Sequence, residues 1–252
     1  MNCKEDISHE RIIKIKKLLH RLDISSKESI YLEEKSTLLI INEALTHTSA
    51  KQSTNHERLE FLGDAVLRLA ATEFIENNYK NLNVGERSAL RSQIVSDEWL
   101  TRVGQKINIQ EALVLGTKAA KDKSAISTIE AETTEALIGA LYEPIRDLNI
   151  IKLWLEKYWH ESCIKIIDDP YKNNYKSALQ EWCQSKGLKI PNYVTKEVNK
   201  THGDMKRFFC KVRIDGKDCG QGWGGSIKQA EKEAAEKALK KFPKNKVYKN
   251  KI

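Results

Sequence analysis

From Ser8 to about residue 165 the apolar positions recur at intervals of three and four, as in Leu59, Leu62, Val66 and Leu69 and again in Ala136, Leu137, Ala140 and Leu141. That is the period of helices with a buried stripe, so the pattern predicts an all-α region. Its last helix, rich in Trp154, Leu155, Tyr158 and Trp159, is expected to end by Ile167-Asp168-Asp169-Pro170, because the residue before a proline is pushed away from the helical conformation. Beyond Pro170 the period changes. A helix from Tyr175 to Ser185 precedes short alternating runs from Tyr193 to Val198, Arg207 to Ile214 and Lys217 to Gly222, and an alanine-rich helix follows from Ser226 to Lys241. Asp215-Gly216 marks a hairpin between the second and third runs, since a primed turn needs residues that tolerate positive φ. The predicted architecture is an all-α domain over residues 8–166, then a small α+β domain of order α-β-β-β-α over residues 171–243.

Charge changes this picture by separating the two regions. From Asp169 onward 18 Lys and 2 Arg face 9 acidic residues, a net of +11, whereas the preceding part has a net of −3. A polyanionic partner therefore belongs with the second region. The five cysteines are odd in number and follow neither a CxxC nor a zinc spacing, which argues against a disulfide framework and for a reducing, cytoplasmic setting. The N-terminal residues mix acids with bases, and no apolar run approaches the roughly 18–20 residues of a membrane span, so neither export nor a membrane partner is expected.

Candidate chemistry lies in His56 to Leu69, HERLEFLGDAVLRL, where Glu57, Glu60 and Asp64 share one helical face. Like charges at that spacing repel by a few tenths of a kcal/mol per pair. Gly63 costs a helix about 1 kcal/mol relative to alanine, which points to a close approach of another element. A second acidic helix over Glu130 to Leu141 puts Glu132 and Glu135 on one face and repeats the small residue at Gly139. Two such helices packed through their glycines would converge four carboxylates, the hard oxygen environment that Mg²⁺ prefers, for phosphodiester hydrolysis assisted by one or two ions. Spacing by itself leaves a second reading open, two solvated acidic faces with scattered Lys and Arg partners.

Four segments carry a resemblance. HERLEFLGDAVL resembles the signature helix of the ribonuclease III family, ALTHTSA (Ala44 to Ala50) its ALTHxSY segment, GERSALRSQIVS (Gly85 to Ser96) its GELSxLRAxLVS stretch, and ETTEALIGALY (Glu132 to Tyr142) its DxxEALIGAxY stretch. The resemblance implies an endoribonuclease that cleaves double-stranded RNA, processing ribosomal, messenger and other precursor transcripts. It implies that Glu60, Asp64, Glu132 and Glu135 surround Mg²⁺, with Mn²⁺ as an admissible substitute and no organic cofactor. Asp64 and Glu135 would be catalytic, with Glu57 and Glu86 assisting at the RNA-facing cleft. It also implies a homodimer whose signature helices pack across the interface; the apolar residues Phe61, Leu62 and Val66, read as exposed, are compatible with such a seam, and an ordinary core would use them equally well. The Thr46, His47, Ser49 group reads as helix-end hydrogen bonding rather than as a nucleophile with its base, because no nucleophile elbow accompanies it.

The second region, with Tyr175, Lys176, Leu179, Gln180 and Glu181, resembles the double-stranded-RNA-binding domain of the same family. That implies Gln180 and Glu181 on 2′-hydroxyls, and Lys228 and Lys232 on phosphates at a helix N-terminus. The chain departs from the family patterns at several points. Glu132 stands where the family has aspartate, which is expected to slow the reaction or shift it toward Mn²⁺. The glycine-rich connection becomes Leu115 to Ser124, with Lys118, Lys121 and Lys123 either on phosphate or in solvent. The lysine-rich start of the last helix loses a base, and the GPxH loop is replaced by Thr201-His202-Gly203-Asp204, where His202 stands in for the missing histidine. The Glu132 departure keeps a competing reading, a non-catalytic double-stranded-RNA-binding or ribosome-associated protein.

Overall fold

The computed structural model describes residues 7–24, 29–168, 174–201 and 203–242. Packing divides the chain between Cys163 and Ile164 into two units. Among the described residues the first is all-helical: α1 (His9–Arg21), α2 (Ser29–Leu32), α3 (Lys35–Ala44), α4 (Glu57–Asn78), α5 (Val84–Ile94), α6 (Asp97–Lys106), α7 (Ile126–Tyr142) and α8 (Asn149–Asp168), within which the division falls. Side chains at the helix starts explain several boundaries. Ser8 caps α1, Ser96 caps α6, and Asn83 with Glu86 forms a reciprocal capping box on α5.

α7 is the central helix. From Ile129 to Leu141 every residue is buried except Glu132 and Glu135. A helix apolar all round belongs in a core, so its two partly open acids mark where the core meets solvent. α4 meets it at Leu59 and Gly63 and buries Val66, Leu67 and Ala70 as well, while Trp99, Trp154 and Trp159 are buried elsewhere in the unit, Trp159 against Phe74 and Trp99. Two expectations are corrected here. Leu69 is 52% exposed rather than part of the core stripe, and Val66 is buried rather than available to a seam. The reason is phase: with Gly63 turned toward α7, the opposite face carries Phe61, Ala65, Arg68 and Leu69, all exposed.

The second unit holds α9 (Tyr175–Ser185), β1 (Asn192–Glu197), β2 (Phe208–Ile214), β3 (Lys217–Gly224) and α10 (Ile227–Lys241). The strands form an antiparallel sheet in the order β1-β2-β3, with Tyr193 opposite Val212 and Cys210 opposite Gly222. One face is covered by both helices, burying Tyr175, Leu179, Cys210, Val212, Ala230, Ala234 and Ala238. The alanine stripe suits this task, since short side chains let α10 lie close to β3. Asp215 and Gly216 have φ of 48° and 77°, the left-handed pair of a primed hairpin turn. Cys163, Cys183, Cys210 and Cys219 are free thiols. Among the described residues no helix is long and apolar enough to cross a membrane.

Candidate active site

α4 and α7 cross where Gly63 meets Glu135 and Gly139 meets Leu59. A β-carbon on Gly139 would lie 2.2 Å from the Leu59 carbonyl oxygen, so backbone touches backbone and no side chain fits between. The close approach has a direct chemical result. Glu60 and Asp64 flank Gly63 on one helix, and Glu135 lies one turn before Gly139 on the other, so the acids meet at the rim of the crossing. Arg58 fixes the start of α4 by donating to Glu43, at 3.0 Å, and to Glu143 just past α7.

The charges in this group work against one another. Burial, then the nearby carboxylates of Asp64 and Glu60, push Glu135 up to about 8. Glu60 is raised by burial and by Glu132, Glu57 and Asp97. A compensating cation is Arg68, which donates to Asp64 Oδ1 at 2.6 Å one turn along the exposed face. Asp97, in the first turn of α6, also raises both Glu60 and Glu135. Sequence reading missed it because an aspartate just after a serine cap is ordinary helix-start chemistry and belongs to no acidic period.

Glu132 leans the other way. Its Oε2 lies 3.6 Å from His47 Nε2 and 3.6 Å from His56 Nε2, and His56 Nε2 is 3.4 Å from Glu60 Oε2. The two imidazoles stack with centroids 4.9 Å apart. Backbone pairing sets them there: His56 N–H donates to the Thr46 carbonyl at 2.9 Å, and His47 N–H to the Val114 carbonyl at 3.0 Å. His47 also caps a short turn at Thr48–Ala50, its Nδ1 accepting from the Ser49 N–H at 3.1 Å, the helix-end role expected for it. Burial, then the neighbouring His47, lowers the His56 pKa.

The remaining expected residues fall in different places. Glu57 is exposed at the start of α4 and acts on Glu60 through its charge. Glu86 is buried in the capping box of α5, where its Oε2 accepts from the Asn83 N–H at 2.7 Å, and it is not among the charges acting on Glu60 or Glu135. In the second unit Gln180 and Glu181 are exposed on α9, and Lys228 and Lys232 are exposed in the first turns of α10, whose N-terminus Ser226 caps. His202 lies outside the described residues. Asp204 closes the loop beside it, accepting from Asn199 Nδ2 at 2.9 Å and the Lys206 N–H at 2.8 Å.

Residues 38–144 match the Ribonuclease-III-like family, and residues 175–242 match the double-stranded RNA binding motif. The Ribonuclease 3 of Prochlorococcus marinus is 54% identical over 238 residues, which cover 94% of this chain and 96% of that protein. A protein named Ribonuclease 3 2 from Synechocystis sp. is 34% identical over 92% of this chain and 93% of its own length. The like-named protein of Nostoc sp. is 37% identical over 79% of this chain and 83% of its own.

Proposed function

We propose, on the premise that the chain belongs to the ribonuclease III family and so is a double-stranded-RNA endoribonuclease, that Glu60, Asp64, Glu132 and Glu135 hold the divalent cation for hydrolysis. The observation that carries this reading is the backbone contact of Gly63 with Glu135, which brings Glu60 and Asp64 of α4 to Glu135 of α7. A carboxyl kept protonated up to about 8 by burial and two neighbouring acids is a group that a bound cation would relieve. An all-oxygen set of carboxylates suits Mg²⁺, with Mn²⁺ as a substitute. The chemistry such an ion supplies is polarisation of the scissile phosphate and a lowered pKa for water. Asp64 and Glu135 orient and accept protons at the reacting end of the group. Glu57, exposed beside Glu60, faces incoming RNA, and Glu86 supports the cleft from the start of α5.

Residues 8–166 form the catalytic domain and residues 171–243 the RNA-binding domain of this reading. Gln180 and Glu181 on α9 reach 2′-hydroxyls in one minor groove, His202 another, and Lys228 and Lys232 meet phosphates at the positive end of α10. The protein acts as a homodimer, for which the exposed Phe61 on α4 is the motivating feature. Its substrates are ribosomal and messenger precursor transcripts, and its setting is the cytoplasm, which agrees with free thiols.

The test is a labelled RNA hairpin incubated with Mg²⁺, Mn²⁺ or chelator, with wild type beside Glu135→Gln. Wild type is expected to cut with either metal and to stop in chelator, while Glu135→Gln binds the hairpin and leaves it whole. Cleavage that persists in chelator, or in Glu135→Gln at the wild-type rate, removes the assignment of these carboxylates.

A further inference from the structure

We propose that His47, His56 and Glu132 form a second cation site, sharing Glu132 with the carboxylate group and suited to a borderline divalent transition ion such as Zn²⁺ rather than to Mg²⁺. The three donor atoms lie within 4.8 Å of one another. Two of the three are imidazole nitrogens, which bind Zn²⁺ and its neighbours well and Mg²⁺ poorly. The separations are informative. Each histidine Nε2 is 3.6 Å from the same oxygen, Glu132 Oε2, which is too long for a hydrogen bond. In a tetrahedral site with ligands at about 2.1 Å, adjacent donors lie about 3.4 Å apart. The spacing of each imidazole to Glu132 is therefore close to that of ligands around an ion, and donors up to 4.8 Å apart would close by about 1.4 Å at most. Glu60 Oε2, 3.4 Å from His56 Nε2, is placed to be the fourth ligand.

His56 supplies an independent reason. The ring is buried, at 2% exposure, and its Nδ1 has no hydrogen-bond partner. Its Nε2 faces only the two carboxylates. An ion at Nε2 does not supply a partner for Nδ1; what favours ligation is that this buried ring turns Nε2 toward Glu132 and Glu60, a pair of negative charges that an ion between them would offset. His47 is prepared for the same role. Its Nδ1 lies 2.8 Å from Ser49 Oγ. In the ion-free chain the Ser49 N–H makes Nδ1 an acceptor and leaves the proton on Nε2. With Nε2 on an ion the ring carries its proton on Nδ1, where it donates to Ser49 Oγ and gives up the bond from the Ser49 N–H. The extra methylene of Glu132, relative to the aspartate of the family pattern, gives its carboxylate the reach to meet both rings.

An ion held here draws Glu132 and Glu60 away from Asp64 and Glu135 and so opposes Mg²⁺. That consequence rests on the carboxylate assignment proposed above, whereas the site itself rests on the donor set alone. The test is a titration of the metal-free full chain with Co²⁺, read by visible absorption, followed by displacement with Zn²⁺ in a calorimeter. Wild type is expected to give the intense bands of a four-coordinate nitrogen-containing site. His47→Asn and His56→Asn are each expected to lose those bands and to weaken Zn²⁺ binding at least about tenfold, while Glu135→Gln keeps both. Because His56 is buried, the partly exposed His47→Asn carries the test if His56→Asn does not fold, as judged by circular dichroism. Bands that survive both histidine changes, or that vanish in Glu135→Gln alone, overturn the proposal. Failure of the carboxylate assignment reads differently: Glu135→Gln then cleaves RNA, and the Co²⁺ bands are untouched.

Discussion

Gly63 faces Glu135 across the helix crossing so closely that a β-carbon on Gly63 would lie 1.9 Å from the Glu135 carbonyl oxygen. A backbone atom cannot swing aside as a side-chain tip can, so Gly63→Ala must separate α4 from α7. Alanine gains about 1 kcal/mol of helix propensity, but overpacking a rigid contact costs about 1–3 kcal/mol. We expect a net loss of stability in urea denaturation and a larger loss of cleavage, since the acids on the two helices move apart. A variant as stable and as active as wild type would show that the crossing has room to spare.

Glu135 makes the metal-free protein sensitive to pH. Its carboxyl titrates near 4.5 in the unfolded chain and at about 8 in the fold. Between those values the unfolded state has lost a proton that the fold retains, so the contribution is complete below 4.5 and is lost as pH rises through 8. In chelator the melting temperature is therefore expected to fall as pH climbs through this window, more steeply in wild type than in Glu135→Gln. Adding Mg²⁺ should remove most of the difference. Parallel curves for the two proteins in chelator would count against the raised pKa.

Glu132 differs by one methylene from the aspartate of the family pattern, and its carboxylate turns toward His47 and His56. Glu132→Asp withdraws it from the imidazoles without removing the charge. Cleavage with Mg²⁺ is expected to be preserved or raised. A tenfold or greater loss in single-turnover rate would mean that the longer side chain is itself the fitted ligand.

Phe61 is 85% exposed on the face of α4 opposite the core. Burying such a ring contributes roughly 1.5–3 kcal/mol, and a two-fold interface uses it twice. Phe61→Ser should shift the protein from dimer to monomer in light scattering at micromolar concentration while leaving the monomer's far-ultraviolet dichroism intact. An unchanged dimer would exclude this face as the seam.

Lys228 and Lys232 open α10 beside its capped N-terminus. Replacing both with alanine is expected to weaken double-stranded RNA binding about evenly across sequences. The slope of log affinity against log salt should shrink by about 1.4–1.8, the share of two phosphate contacts. An unchanged slope would place the phosphate contacts elsewhere.

The fold was legible because its signals are local. Helical period, the hairpin at Asp215-Gly216, the alternating strands and the change of charge after Pro170 all depend on neighbours in sequence, and the elements formed where those signals lie. The glycines at 63 and 139 were legible as a cost without a local return, which implied the crossing that the structure contains. The sequence by itself thus determined the element order, the family and the acids that share each helical face. Only the tertiary structure decided which face of α4 met α7, and so moved Val66 into the core and left Leu69 in solvent, because both phases satisfy the same period. It also decided the company of each acid. Glu132 lies far along the chain from His47 and His56, which backbone hydrogen bonds to Thr46 and Val114 set beside one another and which the fold brings to Glu132, while Asp97 joins the cluster from a helix start. Proximity of that kind follows from how helices pack, and no periodicity in the chain records it.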